Sequence, residues 1–172
     1  MDNDNGAYSL TSNNENGTGK LPIPESNLQQ RKYHIIIVED EEMMMEMLSS
    51  EIKRSLSDKE NYTIHEFPNG ERALEAIKEM VERGDHIAVI ITDQKMPLKT
   101  GAELISDINK LYPEITLRII MHSGDIPAAI TSQHETQKEN AIVISHKIAK
   151  GGCSFIMVAA TVKKILSEGN PN

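Results

Sequence analysis

Residues Ile87 to Gly101 read IAVIITDQKMPLKTG. An apolar run breaks at a single carboxylate, Asp93, and the chain then turns through Met96-Pro97 to Gly101. The run reads as a buried strand, and a helix is expected after the turn. In open α/β sheets, sites form beyond the carboxyl ends of the strands, so Asp93 stands where chemistry is expected. The remainder of the chain decides the fold by whether it supplies further strand–helix units and partners for this acid.

The 172 residues suffice for one domain with a full core and are too few for two ordinary ones. A net charge of -8 without a basic run argues against a phosphate-backbone partner such as DNA. The one cysteine, Cys153, excludes an internal disulfide and fits a reducing compartment. Apolar runs such as Ile35 to Val38 and Phe155 to Ala160 fall well short of the roughly 20 residues that span a bilayer. The Met-Asp-Asn-Asp start lacks a basic-then-apolar signal pattern. The expectation is an acidic cytoplasmic protein with no membrane insertion.

Residues 1–30 are rich in Asn, Gly, Ser and Thr, with too little apolar area to offset the entropy of ordering, and read as a disordered tail. The domain is expected over 31–172. Tyr33 to Val38 is a β-branched run, expected as a strand buried on both faces. It ends in the acids Glu39 to Glu42, after which Met44, Met45, Leu48, Ile52 and Leu56 recur at helical spacing. The methionines Met43 to Met47 read as core fillers rather than a soft metal site. Tyr62 to Phe67 reads as strand two, and Pro68-Asn69-Gly70 as a turn. Ala73, Leu74, Ile77 and Val81 mark a helix ending near Gly84. Leu104, Ile105, Ile108 and Leu111 mark the helix after strand three. Strand four is expected over Ile115 to Met121, a weaker helix over Ala128 to about Gln137, and strand five over Ala141 to Ile144. Phe155, Val158, Val162, Ile165 and Leu166 mark a last helix. Five strands alternating with five helices imply an α/β fold with a parallel sheet and helices on both faces. The flavodoxin-like order 2-1-3-4-5 is the natural choice for this count.

In that order strands one and three are neighbours, so Glu39, Asp40 and Asp93 converge at one end of the sheet. Three carboxylates ~5 Å apart would repel by roughly 3 kcal/mol per pair at an effective dielectric of about 20. A hard divalent cation with oxygen ligands resolves this, and open water positions suit Mg2+. Ser123, at the end of strand four, and Lys147, just past strand five, would add a hydroxyl and an ammonium. Together these groups make a phosphoryl site in which an aspartate can act as nucleophile.

Tyr33 to about Ser167 resembles the receiver domain of two-component response regulators. The matching pieces are Val38-Glu39-Asp40, the D-x-x-M-P loop from Asp93 to Pro97, and Gly101, eight residues after Asp93. Ser123 stands thirty positions beyond Asp93 as in that family, and NGERAL at Asn69 to Leu74 looks like the start of its second helix. The resemblance implies that Asp93 is the phospho-acceptor, attacking a phosphohistidine of a sensor histidine kinase or a histidine phosphotransfer protein. It implies a Mg2+ ion held by Glu39, Asp40, Asp93 and the Lys95 backbone carbonyl. Lys147 would pair with the phosphoryl group, and Ser123 would bond to it in the activated state.

Two departures stand out. The family usually has Lys-Pro after strand five with a cis bond, whereas Lys147 precedes Ile148. A non-proline cis bond costs about 3–4 kcal/mol, so a trans bond and a shifted loop are expected, with Lys150 as the less favoured source of the ammonium. Ile144 replaces the family's switch aromatic. Lys95, two residues after the acceptor, is placed to influence the lifetime of a phosphorylated Asp93.

The leading expectation is a stand-alone receiver, monomeric or weakly dimeric, that signals to a downstream protein target and catalyses only its own phosphorylation and dephosphorylation. A receiver-like interaction module that works without phosphorylation is the alternative. A haloacid-dehalogenase-type hydrolase would need a second acid two residues after the first, where this chain has Lys95.

Overall fold

The computed structural model describes residues 32–56, 61–124 and 143–168. Five strands form one sheet: β1 (Tyr33–Val38), β2 (Tyr62–Phe67), β3 (His86–Thr92), β4 (Arg118–Ser123) and β5 (Val143–Ala149). All pairings are parallel and the order is β2-β1-β3-β4-β5, the flavodoxin-like arrangement expected from the alternation. Four helices lie among the described residues: α1 (Glu42–Ser55), α2 (Gly70–Arg83), α3 (Gly101–Leu111) and α4 (Ser154–Ser167). The helix expected over Ala128 to about Gln137 and the tail over 1–30 lie outside them. No helix among the described residues is long and apolar enough to cross a membrane.

The two-residue period of the strands sorts the apolar side chains into two layers. Ile36, Val38, Ile90, Ile119 and Met121 pack against Ala73, Leu74 and Ile77 of α2 and Leu104, Ile105 and Ile108 of α3. Ile35, Ile37, Val89, Ile91 and Ile120 face the other way, onto Leu48 and Ile52 of α1 and Val158, Val162 and Ile165 of α4. Strands covered on both faces must be apolar throughout, which is why Ile35 to Val38 and Ile87 to Ile91 show no polar alternation.

Local chemistry sets the helix ends. The Asn69 side chain accepts the Arg72 N–H at 3.0 Å and caps α2, and Gly84 closes it at φ 75°. Thr100 and Glu103 form a reciprocal capping box at the start of α3.

Two expectations need correction. Of the methionines in α1, Met45 packs on the core, but Met43 and Met47 are exposed, because a helix covering a sheet on one side leaves its outer stripe in solvent. Strand five does not stop at Ile144. Its register against β4 steps by one between Ile119 and Ile120, then runs on until Ser123 pairs with Ala149. By residue type alone the polar Ser145-His146-Lys147 reads as loop. An edge strand tolerates such residues, and here His146 and Lys147 are exposed while Ile148 is buried.

Candidate functional site

The register of β1 against β3 brings the acids together. Val38 pairs with Thr92, so the next residues, Glu39 and Asp93, leave adjacent parallel strands at the same edge. The Asp93 N–H donates to the Val38 carbonyl at 3.0 Å, and the Glu39 N–H donates to the Phe67 carbonyl at 3.0 Å. Both side chains are buried, whereas that of Asp40 is exposed. One carboxylate oxygen from each of Glu39, Asp40 and Asp93 falls within 4.8 Å of the others.

The Asp93 carboxylate is held from several sides. Its Oδ1 accepts the Gln94 N–H at 2.5 Å, with the Lys95 N–H at 3.4 Å. Lys150 Nζ lies 2.5 Å from Asp93 Oδ2 and 2.9 Å from Glu39 Oε1, bridging the two acids. Gly101 closes the loop behind them, its N–H donating to the Gln94 carbonyl at 3.1 Å. A Cβ there would stand 2.2 Å from the Asp93 carbonyl oxygen, so only glycine lets α3 start this close to the acid.

Burial and charge oppose one another in this cluster. Burial would raise the Asp93 carboxyl, but the Lys150 ammonium, the Ser123 hydroxyl and the Gln94 N–H outweigh it and hold the group below the ordinary carboxylate value. For Glu39 burial prevails over Lys150, and its carboxyl is raised. Burial would lower Lys150, yet its two acidic partners hold the ammonium above the usual lysine value.

Ser123 ends β4, buried, and contributes a hydrogen bond to Asp93. Lys95 is exposed beside Asp93. The ammonium comes from a different lysine than the one expected. Lys147 is exposed within β5, opposite Met121, and Lys150, three residues later, reaches the carboxylates. The continued strand and its register step account for the difference, since the chain first clears the sheet edge at Lys150. No described peptide bond is cis.

The donor set suits a hard cation. All the candidate ligand atoms are oxygens, and Glu39 Oε2 is buried with no hydrogen-bond partner among the described residues. An unpartnered buried carboxylate oxygen is costly, and a bound cation would satisfy it.

A sequence model of the response regulator receiver domain matches residues 35–143. Among solved structures, the phosphorylated cyanobacterial phytochrome response regulator RcpA is similar at 17% identity and a TM-score of 0.62, covering 81% of this chain and 98% of its own. A two-component response regulator from Cytophaga hutchinsonii has 14% identity and a TM-score of 0.60, with 80% of this chain and 99% of that one covered. TrrA from Thermotoga maritima, solved in complex with Mg(2+)-BeF, has 22% identity and a TM-score of 0.53, with coverages of 77% and 98%. At these identities the likeness concerns the fold. Comparison with curated proteins found no match.

Proposed function

Because the chain belongs to the response regulator receiver domain family, we propose that it accepts a phosphoryl group on Asp93 from a phosphohistidine and signals through altered protein binding. The donor would be a sensor histidine kinase or a histidine phosphotransfer protein, and the output a downstream protein target. The observation that carries this reading is the state of Asp93: a carboxylate at a strand end, kept ionised, with Oδ2 against an ammonium and a hydroxyl close by.

An ionised carboxylate oxygen is the nucleophile the reaction needs. As the phosphorus–nitrogen bond to the donor imidazole breaks, a bond forms from an Asp93 oxygen to phosphorus, and the imidazole leaves with the electron pair. Gln94 N–H orients the carboxylate through Oδ1. Lys150 would shift from the Asp93 oxygen to the incoming phosphoryl oxygens, and Ser123 would donate to one of them. Glu39, Asp40, Asp93 and the Lys95 backbone carbonyl would hold Mg2+, which when bound offsets negative charge on the transferring group. The balance between phosphorylated and free Asp93 then sets which surface the domain presents.

Mass spectrometry after treatment with acetyl phosphate and Mg2+ tests the reading. One phosphoryl group is expected on the wild type and none on Asp93→Asn; an unlabelled wild type under conditions that label other receivers would refute it. The second reading, a module that binds partners without phosphorylation, draws on the direct Lys150–Asp93 contact, which already occupies the acceptor oxygen. It predicts equal partner binding by the wild type and Asp93→Asn.

A further inference from the structure

Lys150 precedes a turn closed by one backbone bond of its own, the Ser154 N–H donating to the Gly151 carbonyl at 2.9 Å. Gly151 and Gly152 come next, at φ 137° and 48°, and a Cβ on either would meet nothing within 4 Å. Paired glycines lose the most conformational freedom on ordering, and open space gives them no packing in return. Two links tie this turn to the end of β4, one direct and one relayed through Ser154. The Lys150 N–H donates to the Ser123 carbonyl at 3.2 Å. The Gly151 N–H donates to Ser154 Oγ at 3.3 Å, and Ser154 Oγ lies 3.0 Å from His122 Nε2.

His122 is an unusual choice for its site. It is fully buried in β4, edge-on to Phe155 with ring centroids 5.5 Å apart, and its Nδ1 has no hydrogen-bond partner among the described residues. An aliphatic side chain would fill a strand core without leaving a buried nitrogen unsatisfied. The gain offsetting that cost is the contact with Ser154, and through it with the turn.

We propose that His122 is a positioning residue: through Ser154 it fixes the Lys150–Gly152 turn and so holds the Lys150 ammonium against Asp93 and Glu39. The link replaces local backbone stiffness, which a Gly-Gly turn lacks, with an anchor on the rigid sheet. Its consequence for phosphoryl transfer rests on the function proposed above, whereas its consequence for where Lys150 sits does not.

The test is competitive acylation of the full chain with an amine-reactive ester, read lysine by lysine by mass spectrometry. In the wild type Lys150 is expected to react more slowly than the exposed Lys147. Ser154→Ala and His122→Phe should each speed Lys150 labelling by roughly three- to tenfold, the population shift that one lost hydrogen bond produces. Lys99, ion-paired with Asp107 away from the turn, should keep its rate. The double variant should label Lys150 no faster than either single, because both remove the same link. The acetyl phosphate reaction should slow in the same variants. Unchanged Lys150 labelling, an equal rise at Lys99, or additive effects in the double variant would each overturn the proposal. Should His122→Phe fail to fold, Ser154→Ala alone decides, since it deletes only a hydroxyl. A wild type that takes no phosphoryl group would sink the functional reading while leaving the labelling result to decide the positioning role.

Discussion

Replacing Lys150 by methionine keeps most of the side chain's volume and removes its charge from between two buried acids. Glu39 and Asp93 are 1% and 7% exposed, with carboxylate oxygens that approach within 4.8 Å. Without the ammonium between them, they repel by roughly 3 kcal/mol at an effective dielectric of about 20. Deleting one partner of a buried ion pair commonly costs about 3–5 kcal/mol. The Lys150 side chain retains 14% exposure, which moderates the loss. Lys150→Met is therefore expected to destabilise the Mg2+-free protein by about 2–3 kcal/mol near neutral pH, measured by urea unfolding. The pH dependence has a definite sign. In the variant, burial and mutual repulsion raise the folded-state pKa of the acid pair above its unfolded value. The folded state then binds the extra proton, so the deficit shrinks as pH falls towards about 5. The wild type behaves oppositely at Asp93, whose lowered carboxyl contributes stability that disappears as acid protonates it. Phosphorylation by acetyl phosphate should slow by about 10–100-fold in Lys150→Met, the worth of a charge-assisted bond to the transferring oxygens. Lys147→Met should leave both readouts near wild type. If Lys147→Met proved the damaging change and Lys150→Met the silent one, the assignment of the ammonium would be refuted.

The same geometry yields three more expected outcomes. Mg2+ at about ten times its dissociation constant should stabilise the wild type by about 1.4 kcal/mol in thermal unfolding. Chelation should abolish that gain, and Asp40→Asn should reduce it. Gly101→Ala should cost more than about 2 kcal/mol in urea unfolding, because a Cβ placed 2.2 Å from the Asp93 carbonyl forces the backbone apart; a near-neutral result would mean the loop yields freely. His122, neutral in the fold because burial lowers its pKa to about 4, must be charged to match the unfolded chain in acid. Stability should thus be full above about pH 6.5 and fall by roughly 3 kcal/mol towards pH 4. His122→Phe should flatten that slope, leaving the smaller share from His34 and His65, whose values burial also lowers.

The parts of this protein legible from sequence are those governed by short-range rules. Apolar runs of strand length, helical stripes such as Ala73, Leu74 and Ile77, and the turn residues between them state element type without reference to distant chain. Alternation then restricts the sheet to parallel crossovers, and the order observed is the one that alternation favours. The convergence of Glu39, Asp40 and Asp93 was legible too, because strand ends at one sheet edge are neighbours whatever the details of packing.

What only the tertiary structure decided lies where two strands compete over register. Nothing local to Ser145-His146-Lys147 says that these residues continue β5, because the decision belongs to their pairing with Ile120 to Ser123. One step of register moves every later side chain, and it is this step that leaves Lys147 in solvent and delivers Lys150 to the acids. The His122–Ser154 contact was invisible for the same reason, joining residues 32 positions apart through a fold neither one encodes. Residue type and spacing determined that Asp93 would have an ammonium beside it; the sheet's hydrogen-bond register determined which lysine supplies it.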